Sequence, residues 1–250
     1  MPEHSDLAPY LARLNRRSIL TDDEQALILA LPTRVQQVRP NEDFVRLGER
    51  VDHACFVVEG LVARFDQNVQ GGRQITALHI PGDMPDLLSV VQPAATSALQ
   101  ALSTSTILKI PHSAIRELAS AHPAIAEAFW RDCMVDAMIL AQWIVNVGRR
   151  DALARLAHLL CEMACRYHIL SNDDELTYEM PMTQVQLADV TGLTPVHVNR
   201  SLKKLAETGT SIRFGHVVIA SWDALTKVGD FDRGYLQEDI DQSDRISICE

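Results

Sequence analysis

Residues 183–209, TQVQLADVTGLTPVHVNRSLKKLAETG, predict two short helices joined by a tight turn. The T-x-x-Q pattern that begins at Thr183 is a capping box, which opens the first helix. Gly192 can adopt the left-handed conformation in which helices end, because glycine has no Cβ. Thr194 then caps a second helix, with Pro195 at its first position, where a missing N–H costs nothing. The stretch therefore predicts a helix-turn-helix.

The second helix has one apolar face and one polar, basic face. Val198, Leu202 and Leu205 recur at spacings of four and three, which predicts one buried stripe. A polar, basic face on the second helix, after a turn that contains glycine, is what a reader of the DNA major groove needs. An ordinary helical hairpin with solvated lysines is the alternative. The residues of the open face are Pro195, Val196, Asn199, Arg200 and Lys203.

The composition indicates a globular chain with an uneven charge distribution. A chain of 250 residues that is 47% hydrophobic suits one large or two medium domains with a buried core. The net charge of −10 argues against indiscriminate binding of nucleic acid. Residues 182–216 contain four basic and two acidic side chains, so they carry +2 and the remaining residues carry −12. This asymmetry fits a DNA reader attached to an acidic regulatory body.

The N-terminus and the cysteines predict a cytoplasmic protein that does not enter the membrane. The first ten residues, MPEHSDLAPY, are acidic and polar, unlike a signal peptide. No stretch reaches the about 18 to 20 apolar residues of a membrane span. The five cysteines are odd in number and scattered, which favours reduced thiols. Cys55 lies in a strand pattern and is either a core thiol or a redox sensor.

One helical segment carries residues that could bind a metal. Soft ligands at spacings of 3, 4 and 3 offer two donors to zinc or copper, but one straight helix cannot surround an ion with four ligands. We therefore favour buried side chains and predict no metal or other cofactor. The sequence also lacks a nucleophile elbow, a phosphate loop and an HExxH motif, so we do not predict an enzyme. The four residues are His158, Cys161, Cys165 and His168.

The N-terminal half is predicted to begin with helix and to continue with short strands. Residues 5–31 have helical character, and residues 34–111 contain short β-like runs broken by turn residues. Short strands at near-regular spacing are typical of an antiparallel sandwich or roll. The strand candidates are 56–65, 74–80 and 105–110.

A long helical run follows at residues 122–150. Its apolar residues recur at alternating spacings of four and three over about three heptads, which is typical of a helix packed along a partner helix. A long core helix packed on its own sheet is the alternative. Both can hold, because Ile125, Phe129, Met134 and Met138 form a second apolar face. The predicted dimerisation residues are Trp130, Cys133, Ala137, Leu140, Ile144 and Val147, preceded in the same repeat by Ala126.

The remaining segments complete the domain organisation. Gly148 is expected to interrupt the long helix. Residues 210–222 alternate around a Phe-Gly-His turn and predict a short hairpin, which beside the second helix would make a winged helix-turn-helix. From Asp230 the chain is acidic and is expected to be loosely held. The predicted divisions are a roll domain (1–121), a dimerisation helix (122–148), a winged helix-turn-helix (149–225) and an acidic tail (226–250).

With these parts in order, the chain resembles the Crp/Fnr family of bacterial transcription regulators over about residues 15–225. The resemblance implies an α+β chain with an N-terminal β-roll like a cyclic-nucleotide-binding domain, a long central dimerisation helix and a C-terminal winged helix-turn-helix. It further implies a homodimer that reads a two-fold symmetric DNA site, with RNA polymerase as a further partner. The features that carry it are VVEG (57–60), PGD (81–83), the long helix, RRDALARLAHLLCE (149–162) and MTQVQLADVTGLTPVHVNRSLKKL (182–205).

The resemblance also assigns DNA contacts. Arg200 matches an arginine that contacts a guanine, where it can donate to both O6 and N7, and Lys203 matches a phosphate-contacting lysine. Thr183 and Gln184 begin the first helix, whose N–H groups would meet phosphate. The pair at 195–196 departs from the charged base readers of the best-known members, so the half-site sequence stays open. A ligand- or partner-binding module whose helix-turn-helix no longer reads DNA is the alternative. The predicted DNA-binding residues are Thr183, Gln184, Thr194, Pro195, Val196, Asn199, Arg200, Lys203 and Arg213.

The sensor-like part lacks the ligand residues of the family's cyclic-nucleotide binders. Those proteins use a glutamate for the ribose and an arginine for the cyclic phosphate, whereas this chain has Asp83 and Thr96 at the matching places. No arginine occurs from 74 to 115, and a buried phosphate without such a partner is costly. We therefore expect no response to cyclic AMP, and the effector stays unidentified. Any small ligand is expected to be apolar, held around 84–91 and by the facing side of helix 122–147.

Overall fold

The computed structural model describes residues 6–169 and 175–237, which belong to two compact units. One unit contains the chain up to Arg64 together with Leu78–Met138, and the other contains Phe65–Ala77 and Ile139–Leu236. Among the described residues, no helix combines the length and the hydropathy that crossing a bilayer requires. The helices are α1 (Ala8–Asn15), α2 (Asp22–Leu29), α3 (His112–Ala121), α4 (Pro123–Arg149), α5 (Ala152–Arg166), α6 (Gln184–Thr191), α7 (Pro195–Glu207) and α8 (Trp222–Gly229), with short 3-10 segments at Leu87–Val90 and Arg233–Leu236.

The strands are β1 (Arg34–Val38), β2 (Asp43–Val45), β3 (His53–Glu59), β4 (Val62–Gln67), β5 (Arg73–His79), β6 (Ala98–Ala101), β7 (Ser105–Pro111), β8 (Leu176–Glu179), β9 (Thr210–Arg213) and β10 (His216–Ile219). Among the described residues they form three sheets, with the orders β1-β7-β3, β2-β6-β4-β5 and β8-β10-β9. Strands β7 and β10 pair antiparallel with both neighbours, and β2 pairs antiparallel with β6. The candidates at 56–65, 74–80 and 105–110 are strands, the first being two strands joined by a turn. The sequence did not resolve β1, β2, β6 and β8, because three to five residues carry little periodicity.

The sheet β1-β7-β3 is covered on both faces, because successive side chains of a strand point to opposite sides. On β3, Cys55 and Val57 pack with apolar residues of β2, β4 and β6, which fill the inside of the roll. Ala54 and Phe56 point the other way and pack with apolar residues of α1, α2, α3 and α4. The predicted β-roll is confirmed, and its outer face carries a second hydrophobic core.

Helix α4 is continuous over 27 residues. The prediction that Gly148 interrupts it is wrong, because the helix continues to Arg149 and ends where Asp151 caps α5 through the N–H groups of its first turn. The second apolar face was also partly misassigned. Phe129 is buried, but Met134 is 47% exposed, and the buried stripe continues through Val135 instead.

The second unit is a winged helix-turn-helix, as predicted. Helix α5 is buried from Leu156 to Arg166, and α6 and α7 are followed by the hairpin β9–β10. Its turn residues Phe214 and Gly215 have φ values of 52° and 81°, and positive φ at both central residues is typical of a tight two-residue hairpin turn. Strand β8 pairs with the other edge of β10 and completes the small sheet.

The segment after Asp230 is held more firmly than predicted. The rings of Phe231 and Tyr235 pack on the imidazole of His158, with centroid distances of 5.1 and 6.1 Å, and Leu236 is buried. The expectation of a loosely held tail is therefore wrong for residues 231–236, because three large side chains find apolar partners there. The rest of the tail, from residue 238, lies outside the described residues.

Candidate DNA interface

The positions of α6 and α7 are determined by the caps that the sequence predicts. At the start of α6, Thr183 Oγ1 accepts a hydrogen bond from Gln186 N, and Gln186 Oε1 accepts one from Thr183 N, which completes the capping box. Gly192 ends α6 with a φ of 63°. Two residues later Thr194 Oγ1 accepts a hydrogen bond from His197 N and begins α7. The turn between the helices is therefore short and locally determined.

Helix α7 has the two faces that its spacing indicates. Val198 and Leu205 are fully buried and Leu202 is partly buried, so the apolar stripe fixes the helix within its unit. On the opposite face Val196 is 67% exposed, which leaves an apolar side chain in solvent next to polar ones. The other residues of this face are Pro195, Arg200 and Lys203, which are exposed, and Asn199, which is half-buried.

The start of α6 and the hairpin extend this surface. Thr183 and Gln184 are exposed, and Asn199 Nδ2 donates a hydrogen bond of 3.5 Å to Gln184 Oε1, so the structure brings α6 and α7 together here. Arg213 is exposed at the end of β9. Sequence reasoning misses Phe214, which is fully exposed at the tip of the hairpin. Its signal is an aromatic residue at a turn position directly after Arg213.

The predicted dimerisation residues lie on the outward side of α4. Trp130 is 55% and Ile144 70% exposed, and Ala137 is exposed as well. None of the predicted residues is buried in the chain's own core, whereas the opposite side of the helix is. The chain itself therefore covers this apolar stripe only in part, with Cys133 packed against the core of the first unit. The half-buried members are Ala126, Cys133, Leu140 and Val147.

At the sensor-like turn, Asp83 is bound by the chain itself. Its Oδ1 pairs with Arg13 NH1 at 2.5 Å, and its Oδ2 accepts a hydrogen bond of 2.9 Å from Ile80 N. Arg13 also pairs with Asp132 at 2.6 Å and with Asp136 at 3.2 Å. Both oxygens of this carboxylate are therefore occupied by groups of the chain, and α1 supplies the cation.

Thr96 lines a cavity of only ≈ 60 Å³, together with Arg64 and Asp86. Sequence reasoning misses Arg64, because it stands on β4, outside the span 74–115. Its guanidinium donates to the carbonyl oxygen of Pro85. Burial raises the pKa of Asp86 to about 6, although the hydrogen bond from Cys55 N opposes that shift. Small-molecule sites usually measure about 300 to 1,000 Å³, so this cavity is too small for a nucleotide.

Of the residues considered as metal ligands, His158, Cys161 and Cys165 are buried, whereas His168 is exposed and lies beyond the end of α5 at Arg166. Burial, followed by the nearby Asp86, raises the pKa of Cys55 well above its ordinary value, as expected of a core thiol. Burial and then Arg150 lower the pKa of His158 to about 4. Its Nδ1 lies 3.3 Å from Gly229 O and its Nε2 3.3 Å from the hydroxyl of Tyr235. Within 6–169 and 175–237, no three His, Cys, Asp or Glu side chains are grouped to hold a metal ion.

Two family models match the chain. A cyclic nucleotide-binding domain model matches residues 35–122, and a Crp-like helix-turn-helix domain model matches residues 154–228. Together the two matches cover more than half of the 250 residues. They fall on the roll and on the winged helix-turn-helix.

Relatives that match most of the chain are named as regulators. "Regulatory protein HlyX" of Actinobacillus pleuropneumoniae is 23% identical over 208 residues, which are 83% of this chain and 86% of that protein. "Transcriptional activator protein FnrL" of Cereibacter sphaeroides is 23% identical over 224 residues, 86% of this chain and 88% of that one. The solved structure of FixK2 from Bradyrhizobium japonicum has the same fold, with a TM-score of 0.71 at 24% identity over 79% of this chain and 98% of that chain. The chain belongs to the Crp/Fnr family, as a helix-turn-helix transcription regulator and not an enzyme.

Proposed function

We propose that this regulator is a homodimer that reads a two-fold symmetric DNA site with α7. The observation that carries the proposal is the open face of α7, where Arg200 and Lys203 stand in solvent beside the exposed Val196. The buried Val198 and Leu205 hold the opposite side of the helix. A rigid helix with such a face is suited to the major groove.

Each residue of this face has a proposed role. Arg200 donates to O6 and N7 of a guanine, and Val196 contacts a thymine methyl group. Lys203 contacts a phosphate, and Thr183 with Gln184 presents the N-terminal N–H groups of α6 to the backbone. The other members of the interface are Thr194, Pro195, Asn199 and Arg213.

Two alanine substitutions test the reading of DNA. Arg200→Ala should lose about 1 to 3 kcal/mol of specific binding and relax the preference at one guanine per half-site. Lys203→Ala should weaken binding to all DNA sequences alike. It should also reduce the slope of log affinity against log salt concentration by about one unit. The sites are first selected from random DNA, and affinities are then measured on a selected site and on a scrambled one. Equal losses on both DNAs for both variants would contradict the assignment of Arg200 to base reading.

The same selection separates this proposal from its alternative, a partner-binding module that no longer reads DNA. Enrichment of a two-fold symmetric sequence supports DNA reading. Recovery of unrelated sequences at full protein occupancy would contradict it and favour the alternative.

The dimer is proposed to form along the outward stripe of α4. A charge placed in this stripe would be left unpaired in an apolar interface, which is costly. Leu140→Glu and Ile144→Glu should both give monomers in sedimentation and abolish binding to a site with two half-sites. Ile144 is 70% exposed in the single chain, so its replacement leaves the fold intact. Leu47→Glu, at a residue that is 63% exposed outside the stripe, is the matched control. A wild-type protein that stays monomeric at tens of micromolar would contradict the proposal.

We also propose that the roll does not respond to cyclic AMP or cyclic GMP. Asp83, which stands where the family's ribose-binding glutamate would be, is paired with Arg13. Thr96 offers a neutral hydroxyl where an arginine would be needed, and charge-assisted pairs are about twice as strong as neutral ones. The nearby Arg64 shares its cavity of ≈ 60 Å³ with Asp86, whose negative charge would repel a phosphate.

The proposed domains are the roll (1–121), the dimerisation helix (122–148) and the winged helix-turn-helix (149–225), followed by an acidic tail. A transcription regulator works where the DNA is, so we propose a cytoplasmic location. Contact with RNA polymerase is the further partner expected of such a regulator.

A further inference from the structure

A second cavity lies on the other side of the 3-10 segment Leu87–Val90, in the first unit. Its volume is ≈ 430 Å³, within the range of about 300 to 1,000 Å³ that is usual for small-molecule sites. Leu87, Ile115 and Phe129 are buried and form its floor, from the 3-10 segment, α3 and α4. Trp130 forms part of the rim and is 55% exposed.

The lining defines the chemistry that the cavity can accept. Its side chains are aliphatic or aromatic apart from the thiol of Cys133, and no charged or amide group is among them. Burial, followed by Asp132 and Asp136, raises the pKa of Cys133 to about 12, so the thiol is neutral near pH 7. A charged ligand would lose its hydration without gaining a partner. The lining therefore favours a neutral, apolar molecule.

The cavity borders the dimer stripe, because Ala126, Trp130 and Cys133 belong to both. A partner helix packed along α4 contacts the outward ridge, which includes Trp130 and Ala137. The floor lies to the side of that ridge, where Ile115 and Leu87 belong to other elements. A partner helix packed along the stripe would therefore border the cavity along α4.

We infer that this cavity binds a neutral, apolar small molecule, which would contact Trp130 where the cavity meets the dimer stripe. The inference rests on the proposed function, because the stripe is the proposed dimer contact. It identifies the class of effector and the place where the regulator receives its signal.

Two probes that differ by one charge test the chemistry. N-Phenyl-1-naphthylamine is neutral, 8-anilinonaphthalene-1-sulfonate carries a sulfonate on similar rings, and both emit more strongly in apolar surroundings. The neutral probe should bind the full-length protein saturably, at one site per chain. The sulfonate should bind at least about tenfold more weakly, equivalent to about 1.4 kcal/mol. Equal or tighter binding of the sulfonate would overturn the inference.

A matched pair of substitutions on α3 tests the location. Ala119 lines the cavity, whereas Ala121 is exposed at the end of the same helix. Ala119→Phe should lower the affinity for the neutral probe by about tenfold or more, and Ala121→Phe should lower it by less than about twofold. Val91→Glu is a second variant that leaves the fold intact, since Val91 is on the rim and 82% exposed; it should weaken the neutral probe as well. Unchanged affinity in both cavity variants would overturn the inference.

Two further measurements separate the other possible occupants. Ala119→Phe should remain a dimer in sedimentation; monomers would mean that the second copy fills the cavity, which overturns the inference. Cyclic AMP and cyclic GMP, up to about millimolar, the weak end of the affinity scale, should give no saturable heat and should not displace the neutral probe. Displacement would overturn it too. Operator binding is measured separately without probe, so failure of this inference is distinguishable from failure of DNA reading.

Discussion

Each unit of the molecule buries a group of charged side chains, and the two groups are balanced differently. In the first unit, three carboxylates from two segments face Arg13, near the end of α1, and Arg17, just after it. Arg13 pairs with all three, and Arg17 pairs with Asp132 at 3.0 Å. Carboxylates therefore outnumber cations, and one guanidinium connects Asp83 to Asp132 and Asp136.

In the second unit a single carboxylate has several donors. Glu162 is fully buried. It accepts hydrogen bonds from Trp143 Nε1 at 2.9 and 3.1 Å, from the hydroxyl of Tyr235 at 2.8 Å and from Arg166 NH1 at 3.3 Å. These donors come from α4, α5 and the segment after α8, so the group holds three parts of the unit together.

The two units are therefore expected to lose stability at different kinds of position. A buried charge is tolerated only while it is paired, and removing its partner costs far more than removing one of several hydrogen bonds. The first group depends on Arg13, whereas the second distributes its donors. We therefore expect unequal responses to single substitutions.

The largest effect is expected for Arg13→Ala. It leaves the buried Asp83 and Asp132 and the partly buried Asp136 facing one remaining arginine. Breaking a buried pair costs about 3 to 5 kcal/mol of unfolding free energy. Urea denaturation followed by circular dichroism measures the loss. Arg46→Ala, at an exposed arginine, is the control and should change stability by less than about 0.5 kcal/mol. A loss for Arg13→Ala no larger than the control would show that the first group does not depend on this residue.

A smaller loss is expected for Tyr235→Phe, which removes one donor to Glu162. Hydrogen bonds to charged groups contribute about 1.5 to 3 kcal/mol, and neutral ones about 0.5 to 1.5 kcal/mol. Tyr178→Phe is the matched control, because its hydroxyl donates at 2.9 Å to the neutral carbonyl of Leu160 on the same helix α5. Urea denaturation should show a larger loss for Tyr235→Phe. If Tyr178→Phe loses as much unfolding free energy, the charge on Glu162 does not strengthen its hydrogen bond from Tyr235.

The third effect depends on pH. Burial raises the pKa of Asp136 from 3.8 to about 6, although Arg13 opposes that shift. The stability that the protonated form contributes is therefore complete below pH 3.8 and is lost as the pH rises through about 6. Asp136→Asn should stabilise the protein at pH 7 to 8 by about 1 to 3 kcal/mol, since one pKa unit corresponds to about 1.4 kcal/mol. The gain should shrink towards pH 4 in urea denaturation. Parallel stability curves between pH 4 and 8 would contradict this account.

The helix-turn-helix was predictable down to single side chains, because its determinants are local. The capping box at Thr183, the end of α6 at Gly192 and the cap at Thr194 all involve residues at most four positions apart. The outward stripe of α4 was predictable for the same reason, since it repeats within one helix. The end of that helix was not, because Gly148 lowers helix propensity without ending a helix that packing supports.

The sensor-like unit was predictable only in outline. The sequence indicated the roll, and the absence of arginine from 74 to 115 was visible in it. It did not indicate Arg64 beside Thr96, or Arg13 on Asp83, which is 70 positions away along the chain. Polar pairs between distant positions leave no periodicity in either segment.

The sequence alone determined the order of the main segments, the caps of α6 and α7, the outward apolar stripe of α4 and the apolar face of α7, because these follow from the rise and turn of a helix within a few residues. Three features depend on how distant segments pack. Helix α1 supplies the cation for Asp83, and the segment after α8 donates a hydrogen bond to Glu162. The apolar residues beside α4 enclose a cavity. Those features depend on how distant segments meet, and a buried charge or an unfilled volume exists only once the chain around it has packed.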